Sequence, residues 1–147
     1  LKITCLRFFT VYGPRQRPDM AISKFTNLIA TGKKVPMFGD GSSRRDYTFL
    51  SDIVDGIQKS IESCNAYHIY NLGESKTIDL KSLIQLIEKH LGKKADIEQL
   101  PNQPGDVPIT FADISKAREE IGYTPKVDIQ DGVRLYVEWY KETFGVS

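Results

Sequence analysis

The ten residues ITCLRFFTVY at positions 3–12 decide the fold. They form an almost continuous apolar run, rich in β-branched and aromatic side chains and broken by Arg7. A run without the alternation of a half-exposed strand is typical of a strand buried on both faces of a parallel sheet. Such a strand needs neighbouring strands and covering helices. Because the chain opens on Leu1 without an initiator methionine, we expect those neighbours to precede Leu1.

Beyond residue 12, helical and strand patterns alternate, which predicts an α/β fold in a single domain over residues 1–147. Two short strands at 35–38 and 44–50 flank a glycine-rich turn and predict a hairpin or a pair of adjacent strands. The other predicted elements are a helix at about 20–31 capped by Asp19, a helix capped by Ser51 or Asp52, a strand at 67–72, a helix from Asp79 to Gly92, a strand at 95–100, a short helix at 115–121 and a helix at about 129–143 with Val133, Tyr136, Val137 and Tyr140 inward.

Composition excludes several classes of function. Hydrophobic residues make up 40% and charged residues 27% of the 147, which is typical of a globular chain. The net charge of +1 offers no overall field for nucleic acid or an anionic membrane, and no apolar stretch reaches the roughly 20 residues of a membrane span. Cys5 and Cys64 are too few for a disulfide framework and lie in no zinc or redox motif. We therefore expect a cytoplasmic protein without a metal.

The first candidate binding segment is TVYGPRQRPDMA at 10–21, where a strand end is followed by an arginine-rich loop. Thr10 offers a hydroxyl, and Arg15 and Arg17 follow in a loop that proline and glycine hold short. The planar guanidinium of arginine suits carboxylates and phosphates. From the residues alone, a solvated basic loop ahead of a helix is an equally good interpretation.

This segment resembles the sequence after the sixth strand of extended short-chain dehydrogenase/reductases, in the form used by the UDP-glucuronate 4-epimerase branch of the NAD-dependent epimerase/dehydratase family. The resemblance implies that Thr10 and Arg17 hold the sugar carboxylate. It covers the whole chain but only the second half of the family's length. It therefore implies the C-terminal substrate-binding portion of an extended Rossmann-type epimerase, with one or two strands belonging to the sheet of an absent NAD-binding domain.

Two further segments match family motifs. VPMFG at 35–39 resembles a short strand that packs against the uracil ring, which implies contacts from Pro36 and Phe38, although a plain core strand explains it as well. RRDYTF at 44–49 resembles the family's VRDY segment, whose arginine grips the diphosphate, and the matching residue is Arg45. Without the resemblance, Arg45 would be interpreted as a surface charge paired to a neighbour.

A proline-rich loop carries the last motif. PGDVP at 104–108 resembles the family's PGD loop, which implies that Asp106 reaches the nucleotide ribose; a turn residue is the alternative. Family members often have an arginine for the diphosphate where Gln103 stands, so a second guanidinium on the phosphates is in doubt.

The family's catalytic machinery is absent from the sequence. There is no glycine-rich turn for NAD and no tyrosine with a lysine four positions later, so this chain alone should be inactive. For the complete enzyme we also expect Phe8 to touch the nicotinamide side of the cofactor. His68 and His90 have no carboxylate, serine or cysteine partner at a useful spacing, and we expect structural or surface roles for both.

For the complete enzyme the resemblance implies oxidation of the sugar at C4 by NAD, rotation of the keto sugar and return of the hydride to its other face. This chain would anchor the UDP-sugar, the full-length enzyme would be a homodimer, and the chain alone could self-associate through its first strand. A nucleotide-sugar 4,6-dehydratase or a UDP-glucose/galactose epimerase shares the architecture, and RPDM with Thr10 favours the uronate. A non-catalytic sugar-nucleotide-binding module is the alternative outside enzymes.

Overall fold

A computed structural model describes residues 1–102 and 104–146, and in these ranges the chain forms eight short strands and five helices. The predicted α/β class is confirmed. The elements are, in order, β1 (Ile3–Phe8), β2 (Thr10–Tyr12), α1 (Ala21–Ala30), β3 (Lys34–Phe38), β4 (Arg44–Arg45), β5 (Tyr47–Phe49), α2 (Leu50–Glu62), β6 (Tyr67–Leu72), β7 (Ile78–Asp79), α3 (Leu80–Leu91), β8 (Asp96–Leu100), α4 (Ser115–Ile121) and α5 (Ile129–Phe144).

The apolar run at 3–12 is two strands, not one. β1 pairs in parallel with β6, whereas β2 pairs in parallel with β5. The two strands separate at Phe9, whose backbone N–H still donates to the carbonyl of Leu72 at 3.1 Å. Within this chain β1 is not buried on both faces as predicted, since Ile3 and Phe8 are 37% and 50% exposed. Among the described residues only β6 flanks it, and the expected strands before Leu1 stay a prediction.

The predicted hairpin around residues 39–43 is wrong. β3 pairs in parallel with β8, and β4 pairs antiparallel with β7. Gly39 and Gly41 both have positive φ, and the Asp40 carboxylate accepts a hydrogen bond from the N–H of Ser42 at 3.0 Å. After this turn the chain leaves β3 and enters β4, whose pairing partner, β7, is distant in the sequence.

Both predicted N-terminal helix caps are also wrong. Asp19 forms an ion pair with Arg17 at 3.0 Å and does not cap α1. Ser51 and Asp52 lie inside the first turn of α2, where the buried Asp52 accepts a hydrogen bond from the backbone that precedes α5 at 3.0 Å. Asp79 does cap α3 by accepting from a backbone N–H in its first turn at 2.8 Å.

Two apolar clusters form the core. The larger one joins α1, α3 and α5 to β2, β3 and β5, and the smaller one joins α2, α4 and β6 to Tyr123. The four residues predicted to face inward from α5 are buried, which confirms that face of the helix. In the described ranges, no helix combines the length and the apolar character that a bilayer crossing requires.

Candidate functional site

The main candidate site is a cleft formed by two cavities of about 520 Å³ and 240 Å³ that share lining residues. Phe38, Ser43 and Asp106 line both cavities. The larger cavity is also lined by Asp40, Ser42, Asn102, Val107 and Pro108, and the smaller one by Phe25, Arg45, Tyr47, Ile78 and Leu80. We refer to the two cavities together as the cleft.

One wall of the cleft is the turn after β3. Gly39 has φ +62°, and a Cβ atom at this position would lie 2.0 Å from the side-chain oxygen of Asn102. The positive φ favours glycine at this position, and any larger residue would also require the Asn102 side chain to move. The hydrogen bond from the Gly39 N–H to the Leu100 carbonyl at 2.9 Å holds the end of β3 against the end of β8.

A backbone bridge brings the PGD loop to β4. The N–H of Arg44 donates to the carbonyl of Pro108 at 2.8 Å, and the N–H of Thr110 donates to the carbonyl of Arg44 at 3.1 Å. These bonds place Asp106 beside Arg45, and the Arg45 guanidinium forms an ion pair with the Asp106 carboxylate. A charged pair is thereby fixed in the smaller cavity by residues that lie 61 positions apart.

The two adjacent arginines have different environments. Arg44 donates to the side chain and the carbonyl of Thr77 at 2.9 Å and 2.7 Å and lies 3.5 Å from the Asp79 carboxylate. Its guanidinium is thus committed to the loop between β6 and α3. Arg45 lines the cleft, and its Nη1 donates to the Arg44 carbonyl at 2.8 Å. Of the two arginines, Arg45 is the one that lines the cleft, and Asp106 is its ion-pair partner there.

Beneath Arg45 lies Asp46, which is fully buried. Its Oδ1 accepts from the Glu74 N–H at 2.9 Å and from the Thr48 hydroxyl at 3.3 Å. Its Oδ2 accepts from the N–H groups of Ser75 and Ala112, both at 3.0 Å. One carboxylate therefore ties the β6–β7 turn and the segment after the PGD loop to the strand that carries Arg45.

The structure brings three of the seven predicted site residues together: Phe38, Arg45 and Asp106 line the cleft. Pro36 lies on the same strand as Phe38 but is not a lining residue. Gln103, the position that put a second guanidinium in doubt, lies outside the described residues.

The other three predicted site residues do not line the cleft. Thr10 lies on β2 opposite Tyr47, whose side chain does line it. Arg17 is exposed and paired with Asp19. Phe8 lies at the end of β1 and is half-exposed.

Sequence reasoning missed Asn102, Val107 and Tyr47 as lining residues. Tyr47 could have been found, since it alternates with Arg45 along the predicted strand at 44–50 and so shares its face. Asn102 and Val107 come from an irregular loop, and no periodicity relates their side chains to the cleft.

His68 has a carboxylate neighbour that no spacing in the sequence indicates. Its Nδ1 lies 3.4 Å from the Glu120 carboxylate, its Nε2 lies 2.9 Å from the Asn65 side-chain oxygen, and its ring stacks on Tyr70. Glu120 belongs to α4, so its contact with β6 is tertiary and leaves no local spacing in the sequence. Burial lowers the pKa of His90 below its usual range.

A buried carboxyl group lies next to the cleft. Glu74 shares a small cavity with Arg45 and Tyr47, and burial raises its pKa to about 7 although Lys76, at 3.5 Å, favours the ionised form. Burial, followed by the charge of Glu74, also raises the pKa of Tyr12. The ionised form of Glu74 is therefore disfavoured in the folded protein near neutral pH.

Replacing Glu74 with glutamine is expected to stabilise the protein at pH 8. A carboxyl group whose folded-state pKa is raised stabilises the fold fully below its unfolded value of 4.5, and this contribution is lost as the pH rises through about 7. At pH 8 the variant should have a free energy of unfolding about 1 kcal/mol above that of the original chain, with the difference vanishing near pH 5. Urea denaturation at pH 5, 6.5 and 8 measures it.

The matched control for this experiment is Glu98→Gln, which neutralises a carboxylate at an exposed ion pair with Lys34. It should leave the pH dependence as it is in the original chain. Equal loss of stability in Glu74→Gln at pH 5 and pH 8 would show that the contribution of Glu74 does not depend on its ionisation in this range, contrary to the expectation.

An α/β fold whose cleft combines a guanidinium, an aromatic ring and a carboxylate defines a protein equipped to bind a ligand with an anionic part and a planar part. The family model described as GDP-mannose 4,6 dehydratase matches residues 1–136. The chain belongs to this family of NAD-dependent nucleotide-sugar epimerases and dehydratases.

Individual relatives are similar to this chain over nearly its whole length. An uncharacterized protein of Methanocaldococcus jannaschii is 47% identical over 142 residues, which are 97% of this chain and 44% of that protein. The UDP-glucuronate 4-epimerase of Thermodesulfobacterium geofontis is 41% identical, over 97% of this chain and 44% of that enzyme. The crystal structure of UDP-glucuronic acid 4-epimerase from Bacillus cereus, in complex with UDP-glucuronic acid and NAD, matches with a TM-score of 0.91 at 35% identity, over 97% of this chain and 46% of that one. The chain thus spans less than half the length of each of these proteins.

Proposed function

We propose that this chain is the nucleotide-sugar-binding part of an NAD-dependent UDP-sugar 4-epimerase of the UDP-glucuronate type. The observation that carries the proposal is the convergence of Phe38, Arg45 and Asp106 on one cleft from three separate segments of the chain. An aromatic ring, a guanidinium and a carboxylate suit, in that order, the uracil, the diphosphate and the ribose of UDP.

Arg45 is the proposed diphosphate ligand. Its side chain is 20% exposed, so a phosphate that reaches it leaves water at a site where charge-assisted hydrogen bonds are stronger than at an open surface. The Asp46 hydrogen bonds described above fix the strand that carries it, so little ordering is needed when the ligand binds.

Phe38 and Asp106 are the proposed nucleoside ligands. Phe38 remains 36% exposed at the junction of the two cavities, and Val107 is 50% exposed at the larger one, so apolar surface is available to a planar base. The Asp106 carboxylate, 45% exposed, accepts hydrogen bonds and suits the hydroxyls of a ribose. Pro36, on the same strand as Phe38, is the proposed support of this wall.

For the sugar carboxylate we propose Thr10 and Arg17. Thr10 lies opposite Tyr47, and so reaches the strand next to the cleft. Arg17 is engaged with Asp19 in an exposed ion pair, of the kind that contributes about 0–1 kcal/mol. A bound carboxylate can therefore take over the guanidinium at little cost.

NAD is bound by the related Bacillus cereus enzyme. The residues of this chain do not fit that cofactor, because the sequence has no glycine-rich turn between a strand and a helix to hold a pyrophosphate and no tyrosine with a lysine four positions later. We propose that the glycine-rich turn and the tyrosine–lysine pair belong to a preceding domain of a homodimeric full-length enzyme, and that residues 1–147 alone are inactive. We also propose that the half-exposed Phe8 faces the nicotinamide. The 4,6-dehydratase alternative has the family model in its favour.

Calorimetric titration of the chain with UDP tests the proposal. The original chain should bind UDP, and Arg45→Ala should weaken binding by about tenfold to a hundredfold, as expected when one charge-assisted contact of about 1.5–3 kcal/mol is lost. In the same titrations, UDP-glucuronate should bind more tightly than UDP-glucose, and Arg17→Ala should remove this preference while leaving UDP affinity unchanged.

Arg134→Ala is the control, since it removes an arginine from the outer face of α5 that pairs with Glu138 at 3.1 Å. It should bind UDP as the original chain does. A folded original chain that binds no UDP, or an Arg45→Ala variant that binds it equally well, would contradict the proposed function. If the original chain binds UDP but binds UDP-glucuronate no more tightly than UDP-glucose, the uronate part of the proposal fails and UDP-glucose becomes the proposed substrate type.

A further inference from the structure

The charges that line the cleft do not form a simple anion site. Its charged lining residues within the described ranges are one arginine, Arg45, and two aspartates, Asp40 and Asp106. Asp40 accepts hydrogen bonds from the N–H and the hydroxyl of Ser42. Asp106 pairs directly with Arg45. The cleft therefore carries more negative than positive charge before any ligand arrives.

The Arg45–Asp106 ion pair has a direct consequence for anions. Arg45 donates one Nη1 N–H to the Arg44 carbonyl and one Nη2 N–H to Asp106, so a phosphate that binds this guanidinium either displaces the Asp106 carboxylate or shares the group with it. Sharing places two like charges side by side, which is unfavourable at a site that is 20% exposed. The Asp106 carboxylate therefore weakens the binding of an anion that has no hydrogen-bond donor for it.

A nucleoside diphosphate offers Asp106 a new partner. Its ribose carries two adjacent hydroxyls, both hydrogen-bond donors, which can replace the guanidinium that the carboxylate gives up. The loop that carries Asp106 is attached to β4 on its C-terminal side, through the bonds of Arg44 to Pro108 and Thr110, so a small movement of Asp106 need not release the loop.

We propose that Asp106 is a specificity-determining residue that makes the cleft select nucleoside diphosphates over bare polyanions such as pyrophosphate. This inference rests on the proposed function, in which Arg45 binds the diphosphate and Asp106 the ribose. It adds that the same carboxylate opposes any anion that lacks a vicinal diol. Selectivity is then obtained by an unfavourable contact with the wrong ligand as well as a favourable one with the right ligand.

The test is to titrate the original chain and Asp106→Asn with UDP, with inorganic pyrophosphate and with 2′,3′-dideoxyuridine diphosphate. The substitution should increase pyrophosphate affinity by about fivefold to tenfold and decrease UDP affinity by about threefold or more. The dideoxy ligand should bind the original chain about tenfold more weakly than UDP, and Asp106→Asn should bind these two ligands alike. Asp40→Asn, which removes the same charge from the same cleft without breaking an ion pair to Arg45, should change the ratio of pyrophosphate to UDP affinity by less than about twofold.

The outcomes separate the two proposals. If the folded original chain binds no UDP, the proposed function fails and this inference fails with it. If UDP binds but Asp106→Asn lowers the affinity for pyrophosphate as well as for UDP, the function stands and the selectivity role is overturned. Equal shifts in Asp106→Asn and Asp40→Asn would also overturn it, because they would reflect net charge alone. Circular dichroism of each variant confirms that the exposed loop substitution leaves the fold intact.

Discussion

Asp46→Asn is expected to lower the free energy of unfolding by about 3 kcal/mol or more, although it changes a single atom. Both oxygens of this fully buried carboxylate accept hydrogen bonds, and three of the four donors are backbone N–H groups, those of Glu74, Ser75 and Ala112. An asparagine can present only one oxygen.

The geometry leaves the asparagine no good orientation. If its amide nitrogen replaces Oδ2, it faces the N–H groups of Ser75 and Ala112; if it replaces Oδ1, it faces the N–H of Glu74. Either way at least one buried N–H loses its acceptor and meets another donor. The loss also affects Ser75 directly, because this non-glycine residue has φ +60° and is held there in part by Asp46.

Chemical denaturation of Asp46→Asn and of Asp40→Asn measures the effect. Asp40 is the matched control, since its carboxylate also accepts two hydrogen bonds but is exposed to water, and its substitution should leave the unfolding transition close to that of the original chain. Similar transitions for the two variants would mean that the network around Asp46 rearranges freely. A selective loss of UDP affinity at a temperature where Asp46→Asn is still folded would show, in addition, that Asp46 positions Arg45.

The network around Asp46 also shows why the site was only partly predictable. The position of Asp46 beside Arg45 in RRDY was visible in the sequence, whereas its three backbone N–H partners lie 28 to 66 residues away and follow no local period. The helices α3 and α5 were predicted well because their apolar faces and the Asp79 cap are local signals. The partners of the short strands were not, since parallel pairing joins segments that are far apart in the sequence.

The site residues show the same difference between local sequence signals and contacts that only the fold creates. Phe38, Arg45 and Asp106 were predicted from motifs, and the structure places them in one cleft. Asn102 and Val107 became visible only through the folded loop. The segment with Thr10 and Arg17 has the most specific motif, yet the contacts within this chain do not bring it to the cleft, so its role still rests on the proposed ligand.

The second large effect is expected from Gly132→Ala in α5, which should destabilise the fold by about 3 kcal/mol even though alanine favours a helix over glycine by about 1 kcal/mol. A Cβ atom at this position would lie 1.9 Å from the hydroxyl and 2.7 Å from the Cζ of Tyr12, and 3.0 Å from a ring carbon of Phe49. All three residues are buried, so neither the helix nor the ring can move without disturbing the larger apolar cluster.

Tyr12→Phe makes this prediction specific. The Tyr12 hydroxyl has no hydrogen-bond partner among the residues that the structure describes, so its removal should change the stability of the original chain by less than about 1 kcal/mol. In the Gly132→Ala background the same change removes the closest contact and should restore about 1 kcal/mol or more, because the nearest atom is then the ring carbon at 2.7 Å. Gln130→Ala, at an exposed position in the first turn of the same helix, controls for helix propensity. Urea unfolding of Tyr12→Phe, Gly132→Ala, the double variant and Gln130→Ala measures the free energy of coupling between positions 12 and 132. Strictly additive effects of Tyr12→Phe and Gly132→Ala would show that the Tyr12 hydroxyl is not the group that excludes a side chain at position 132.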